Sequence, residues 1–232
     1  MDGGPRALLD ALADLVLPRT CAGCGVPGVV LCRRCATLLA VPHLATPRRF
    51  PVGFPPTVAA GAYAGPIRPA VVAFKERGRA ELARPLGAAL ALAVVGVLTG
   101  LPGPAGPVAL VPVPSSAAAL RARGRDHVRE LTRRAVAELA AAGVAAAEAP
   151  VLRRSGRVRD SAGLSAAQRR ANLAGTFVLR TAVPAGSIVL VDDVVTSGAT
   201  LTEAAAVLAM TRRPDDTPVV AAVVAATPRP VS

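Results

Sequence analysis

Short apolar segments alternate with helical patterns in the second half of the chain. Strand-like runs occur at VALVPVP (108–114), near 149–153, at FVL (177–179), at SIVLVDD (187–193) and at TPVVAAVVAA (217–226), with helical patterns near 126–142 and 199–211. Continuous apolar runs that alternate with helices are typical of parallel strands buried on both faces. The pattern therefore predicts an α/β fold in which helices flank a parallel sheet.

Breakers and composition divide the chain into three parts. Residues 1–45 contain all four cysteines, residues 46–107 run from a Pro-rich linker to an Ala-rich helix at 86–101, and residues 108–232 carry the alternating pattern. The segment LPGPAGP ends the second part. We predict a small N-terminal helix and cysteine module (1–45), a connector that forms a hood (46–107) and an α/β core (108–232).

Two apolar segments resemble export or membrane signals. Asp10 and Asp14 interrupt the first of them, so we expect a short amphipathic helix there and no signal peptide. The segment 86–101 is uncharged, but it is shorter than the roughly 20 residues that span a membrane. We therefore predict a buried helix at 86–101, no membrane span and a cytoplasmic protein.

The net charge of +12 comes almost entirely from arginine, because Lys75 is the one lysine of the chain. Such an excess suits phosphate groups, polyanions or nucleic acid, whereas a solvated helix face is the alternative. Aromatic residues make up 2% of the chain, which disfavours the stacking platforms that bind single-stranded DNA. The arginines form two clusters: Arg121, Arg123, Arg125, Arg129, Arg133 and Arg134, then Arg153, Arg154, Arg157, Arg159, Arg169 and Arg170.

The four cysteines occur as two CxxC pairs in CAGCGVPGVVLCRRC (21–35). Each pair can form a tight turn that presents two thiolates, and two such turns give the tetrahedral set that suits a structural zinc ion. Two disulfides, a redox CxxC and an iron–sulfur cluster are the alternatives. The predicted zinc ligands are Cys21, Cys24, Cys32 and Cys35.

The segment IVLVDDVVTSGATL (188–201) combines a buried strand, two adjacent acids and a turn of small hydroxyl residues before a helix. A helix N-terminus offers free amide groups to an anion, and a glycine lets the backbone approach it closely. Carboxylates beside such a turn suit sugar hydroxyls, so the segment predicts a ribose 5-phosphate site. A plain strand–turn–helix capped by Ser197 is the alternative.

This segment resembles the phosphoribosyl pyrophosphate (PRPP) motif of type I phosphoribosyltransferases. AYAGPIRPAVVAFKERGR, LVPVPSSAAALRARGRDHVREL and RRANLAGTF also follow in the order seen in the ComF family. ComF proteins are competence-associated and phosphoribosyltransferase-like, often with N-terminal zinc knuckles. The resemblance implies a type I phosphoribosyltransferase fold with a zinc-ribbon module.

The resemblance also implies residue functions. Asp192 and Asp193 would bind the ribose hydroxyls of PRPP with Mg²⁺, Arg123 and Arg125 would act with them in catalysis, and a flexible lid with Arg157 and Arg159 would close the site. His127 is more readily interpreted as a non-catalytic histidine than as a general base. The other PRPP-binding residues would be Val194, Val195, Thr196, Ser197, Gly198, Ala199, Thr200, Ser115, Ser116 and Lys75.

Two functions follow from the resemblance. In one, the protein transfers phosphoribose from PRPP to an acceptor that the sequence does not identify. In the other, it is a non-catalytic adaptor in DNA uptake that binds a competence helicase or single-stranded DNA. A purely structural zinc protein would leave the two acids of the 188–201 segment without a function.

Overall fold

A computed structural model describes residues 19–47, 51–101, 106–155, 175–213 and 215–228. The predicted N-terminal amphipathic helix and most of the predicted lid, with Arg157 and Arg159, lie outside the described residues. The strands within these ranges are β1 His43–Leu44, β2 Thr57–Ala62, β3 Val108–Pro112, β4 Ala146–Glu148, β5 Leu152–Arg154, β6 Phe177–Leu179, β7 Ser187–Val195 and β8 Val220–Ala226. The α-helices are α1 Arg33–Thr37, α2 Ile67–Glu76, α3 Ala83–Leu98, α4 Ala117–Arg123, α5 His127–Ala141 and α6 Ala199–Ala209.

Six of the described strands form one sheet in the order β1-β2-β8-β7-β3-β4. All neighbours are parallel except β1, which pairs antiparallel with β2 at the edge. The predicted α/β class with a mostly parallel sheet is therefore confirmed. Strand β2 comes from the segment that the sequence analysis assigned to a connector, yet it pairs with β8 inside the sheet.

Alternate residues of β7 pack into two separate cores. Val189 and Val191 join the larger core with α2, α3 and α5, whereas Ile188 and Leu190 join the second core with α6, β5 and β6. Each strand face is thus covered, which explains why SIVLV is an unbroken apolar run.

The connections that leave the carboxyl ends of β3 and β7 run in opposite directions along the sheet. After β3 the chain forms α4 and α5 and returns at β4 on one side, and after β7 it forms α6 and returns at β8 on the other. In open parallel sheets the crevice at such a reversal of strand order is where ligands bind. The topology therefore predicts a ligand site at the loops that follow Pro112 and Val195.

The strand predicted near 149–153 is present only in part, as β5 Leu152–Arg154. Strands β4 and β5 lie on either side of Pro150, and β5 pairs with β6 in a separate antiparallel pair instead of joining the main sheet. Pro150 has no amide hydrogen to donate to a ladder, so one strand cannot continue through it.

The Ala-rich helix α3 begins and ends three residues earlier than the predicted run 86–101, and a 3-10 turn at Ala80–Leu82 precedes it directly. Residues Ala80–Leu98 are long and apolar enough to cross a membrane, and 61% of the most apolar window is buried inside the fold. The helix packs against α5, β2 and β8. Burial in the core therefore accounts for its apolar composition.

Helix α3 approaches α5 most closely at Gly87. A Cβ atom built on Gly87 would lie 2.3 Å from Arg134 Cβ, a distance at which one helix must shift. We predict that Gly87→Ala lowers the free energy of unfolding by about 1–3 kcal/mol, although alanine is otherwise favoured in helices. Urea unfolding monitored by circular dichroism measures the change.

Gly100→Ala is the matched control, because its Cβ would meet only Val97 O at an ordinary 3.6 Å. We expect its unfolding free energy to stay within about 0.5 kcal/mol of the wild type. Equal effects of the two substitutions would contradict close packing of α3 on α5.

Candidate functional site

A cavity of about 470 Å³ lies at the carboxyl ends of β3 and β7. The loop after β3 contributes one wall, α2 and the start of α5 contribute a second, and the end of β7 with its turn contributes the floor. Its polar lining residues are Tyr63, Lys75, Ser115, Ser116, Arg123, His127, Arg154, Asp192, Asp193, Thr196 and Thr200. The structure thus brings together side chains that the sequence analysis assigned to one ligand.

The turn after β7 has the form expected of an anion-binding helix start. Gly198 has a φ of +76° and precedes α6, whose first amides have no partner within the helix. A Cβ on Gly198 would lie 2.7 Å from the Phe54 ring, so both conformation and space require glycine. The Ser197 hydroxyl lies 3.5 Å from Ala199 N, which is too long for an effective cap. The simple capping interpretation is therefore the weaker one.

Asp193 is a buried carboxylate that contacts two nitrogen groups. Its Oδ2 lies 2.9 Å from Lys75 Nζ and 3.4 Å from His127 Nε2. Burial opposes ionisation of Asp193, but His127 and the positive charge of Lys75 outweigh it and hold the pKa of Asp193 below the usual carboxyl value. Asp193 is therefore ionised in the folded protein.

Asp192 has the opposite electrostatic environment. It lines the cavity and is partly exposed, and its Oδ1 accepts a hydrogen bond from Asp193 N at 2.9 Å. Burial, followed by the negative charge of Asp193, raises the pKa of Asp192 well above its ordinary value. A cation or a hydrogen-bond donor that enters the cavity would lower this pKa again.

The loop after β3 is fixed by two hydrogen bonds. Ser116 Oγ accepts from Ala119 N at 3.1 Å and caps α4, and Arg154 Nε donates to Pro114 O at 2.9 Å. The Arg154 guanidinium also lies 5.0 Å from the centre of the Phe177 ring. Arg154 was not predicted as a site residue, because its position in an arginine cluster was the only signal in the sequence.

Some predicted site residues do not face the cavity. Arg125 donates to Phe74 O at 2.8 Å, lies 4.3 Å above the Phe74 ring and pairs with Glu130, so its guanidinium is engaged outside the lining. Val195 is buried in the second core. Ser197, Gly198 and Ala199 form the turn beside the cavity without lining it.

The first arginine cluster is paired with acids. Arg123 contacts Glu76 at 3.0 Å, Arg125 pairs with Glu130, and Glu148 accepts from both Arg129 and Arg133, at 2.6 and 2.9 Å. Burial opposes ionisation of Glu148, but the two arginines outweigh it and hold the pKa of Glu148 below its ordinary value. Much of the positive charge that the sequence concentrates here is therefore compensated locally.

The four cysteines meet in one cluster. Their Sγ atoms all lie within 4.8 Å of one another, and those of Cys24 and Cys32 are 3.6 Å apart. Four thiolates around zinc, with bonds near 2.3 Å, are separated by about 3.8 Å. The donor chemistry and the spacing thus fit a four-thiolate metal site.

Backbone amides of the cysteine module favour the thiolate form of Cys21. Burial opposes ionisation of Cys21, but backbone amides of Cys24, Cys32 and Gly23 outweigh it and lower the pKa of the Cys21 thiol to about 6. Cys32 N lies 3.3 Å from Cys21 Sγ. Since a metal binds the thiolate form, these amides prepare Cys21 as a ligand.

Comparisons with known proteins add no family assignment. No protein-family model matches the chain, and no curated protein matches its sequence. The ComF resemblance therefore remains a prediction based on the motifs themselves.

We predict that the purified protein carries about one zinc ion per chain and that removal of the zinc by a chelator lowers its thermal unfolding temperature. Four thiolates on one ion contribute much of the folding energy of a segment with so few apolar contacts. Elemental analysis gives the metal content, and the expected result for Cys35→Ser is a loss of most of the zinc. A zinc-free protein with unchanged stability would contradict the prediction.

Proposed function

We propose that the protein is a phosphoribosyltransferase-like protein that binds PRPP with Mg²⁺ in the cavity at the carboxyl ends of β3 and β7. One observation carries the proposal: the acid pair at the end of β7 and the threonines of the following turn line the same cavity as Lys75 and Arg123. Sugar-binding carboxylates, a phosphate-binding turn and cationic side chains are the groups that a phosphorylated ribose with a pyrophosphate requires. The resemblance of 188–201 to the PRPP motif supports the same assignment.

Each part of PRPP would contact a different group of cavity residues. The turn from Thr196 to Thr200 would hold the 5-phosphate, because it offers hydroxyl groups and free amides. Asp192 would accept hydrogen bonds from the ribose hydroxyls. The pyrophosphate would lie against Ser115, Ser116 and the two cations of the opposite wall, since arginine and lysine bind phosphate oxygens.

The proposed transfer reaction depends on charge neutralisation more than on proton transfer. As the bond from the anomeric carbon to pyrophosphate breaks, negative charge grows on the leaving group, and Lys75 and Arg123 are positioned to stabilise it. Mg²⁺ would add charge neutralisation when bound with the ligand, and Asp192 offers the hard oxygen donors that it prefers. Exclusion of water from the cavity would protect the reactive carbon from hydrolysis.

The ComF resemblance further supports a function in DNA uptake, with either transfer to an acceptor or PRPP binding by an adaptor of a competence helicase. Direct binding of single-stranded DNA is the less favoured version. Four arginines of the first cluster already pair with glutamates, and strand-binding surfaces usually rely on aromatic stacking. The proposal therefore centres on PRPP.

We predict saturable binding of PRPP in the presence of Mg²⁺, measured by isothermal titration calorimetry on the zinc-loaded protein. Asp192→Asn is expected to weaken binding about 10- to 100-fold, because it removes a charged acceptor from the ribose and the metal. Asp215→Asn is the matched control: this exposed acid lies outside the cavity and should leave affinity unchanged.

A folded, zinc-loaded protein that does not bind PRPP would rule out both the transferase and the PRPP-binding adaptor. If PRPP binds, pyrophosphate release in a screen of purine and pyrimidine acceptors distinguishes the two. Release that depends on one acceptor identifies a transferase, whereas binding without release supports the adaptor.

A further inference from the structure

We propose that the two adjacent acids have different functions: Asp192 faces the ligand, whereas Asp193 is a buried positioning residue that holds Lys75 and His127 in the cavity wall. The identity of the ligand that Asp192 and Lys75 contact rests on the proposed function. The positioning of Lys75 and His127 by Asp193 does not depend on it.

Strand geometry makes the two acids inequivalent. Successive side chains of a strand point to opposite faces of the sheet, so Asp193 shares its face with Val189 and Val191. That face is covered by α2, α3 and α5, and α2 and α5 carry Lys75 and His127. Asp192 follows Leu190 on the other face and lines the cavity, but neither Lys75 nor His127 lies within ion-pair distance of it.

Asp193 is committed to protein partners. Its side chain is 4% exposed, and the one oxygen Oδ2 faces both Lys75 Nζ at 2.9 Å and His127 Nε2 at 3.4 Å. A buried carboxylate is tolerated only when it is paired. The pairing therefore holds the side chains of the partners in place as well as the acid. An entering sugar hydroxyl would have to compete with an existing ion pair.

The proton positions on His127 follow from Arg123. Arg123 Nη1 lies 3.3 Å from His127 Nδ1, and a guanidinium can only donate, so Nδ1 is the acceptor. The ring hydrogen of neutral His127 then resides on Nε2, which faces Asp193. Nδ1 is engaged by Arg123, and Nε2 is buried 3.4 Å from Asp193 Oδ2 without a hydrogen-bond partner among the described residues, so His127 lies between Arg123 and Asp193 as an electrostatic neighbour of both.

Lys75 is the member of this group that can reach a ligand. Its side chain is 33% exposed and lines the cavity, and an ammonium has three donors, of which Asp193 requires one. Arg123, anchored by Glu76, also lines the cavity. Asp192, by contrast, has no cation of the described residues within ion-pair distance, which leaves its oxygens available to a ligand.

Two double-mutant cycles on the ligand-free, zinc-loaded protein test the positioning. We expect Asp193→Asn and Lys75→Met to be non-additive by about tenfold in the equilibrium constant of urea unfolding, because either change breaks the same pair. Asp192→Asn with Lys75→Met is the matched cycle, expected to depart from additivity by about threefold or less, because Asp192 acts on Lys75 through space without an ion-pair contact. Additive effects at positions 193 and 75 would overturn the inference.

The NMR signals of the histidine ring nitrogens at fixed pH give a second readout that a general packing defect would not change in the same way. The chain has two histidines, and the exposed His43 serves as an internal reference. Asp193→Asn should displace the Nε2 signal of His127, because it replaces the carboxylate that faces this nitrogen, and Lys75→Met should displace the same signal by releasing Asp193 from its ion pair. The Lys75→Met variant decides the question if Asp193→Asn does not fold, and an unchanged Nε2 signal would overturn the inference.

PRPP binding then separates this inference from the proposed function. We expect Lys75→Met and Asp193→Asn to weaken PRPP binding by similar, non-additive factors, and Asp192→Asn to add its full effect to either. If Lys75→Met leaves affinity unchanged while Asp193→Asn abolishes it, Asp193 is a direct ligand and the division of functions is wrong. If the wild type does not bind PRPP, the proposed function fails, while the unfolding cycles and the histidine ring signals still decide on the positioning.

Discussion

The ion pair between Asp193 and Lys75 is the constraint on which the arrangement of the cavity depends. Leaving a buried carboxylate without its cation costs about 3–5 kcal/mol, so the end of β7 cannot be moved away from α2 without a large penalty. Through His127 and Arg123 the same carboxylate also reaches α5 and the end of α4. One buried negative charge thus ties together three of the elements that surround the cavity.

Local sequence was enough to predict the parts of the site that a single segment builds. The apolar run before Asp192, the turn at Gly198 and the helix that follows are one continuous stretch, and the structure contains the predicted strand and helix. The cluster of four cysteines could likewise be predicted from the sequence, because CxxC spacing constrains where the thiolates point. In both cases the pattern and the geometry come from neighbours along the chain.

Contacts between distant segments could not be predicted in this way. Nothing in TVAAGA indicates that β2 pairs with β8, because any short apolar strand could occupy that edge. Arg125 was expected at the ligand, but Glu130 and the Phe74 ring offered it closer partners. Arg154 entered the cavity because β5 leaves the main sheet after Pro150, and the sequence analysis had placed a single strand across that residue.

The cysteine module bears on the same helix that carries Lys75. A Cβ on Gly23 would lie 2.8 Å from Cys35 Sγ and 2.9 Å from Pro66 O, so the first knuckle packs directly between the metal ligands and the residue before α2. Arg79 beyond the other end of α2 donates to Thr20 O at 2.9 Å. Helix α2 is therefore held by the module at both ends and by Asp193 through its last turn. A metal ion bound by the four cysteines would therefore also stabilise the cavity, because a loosened module would release the helix that presents Lys75.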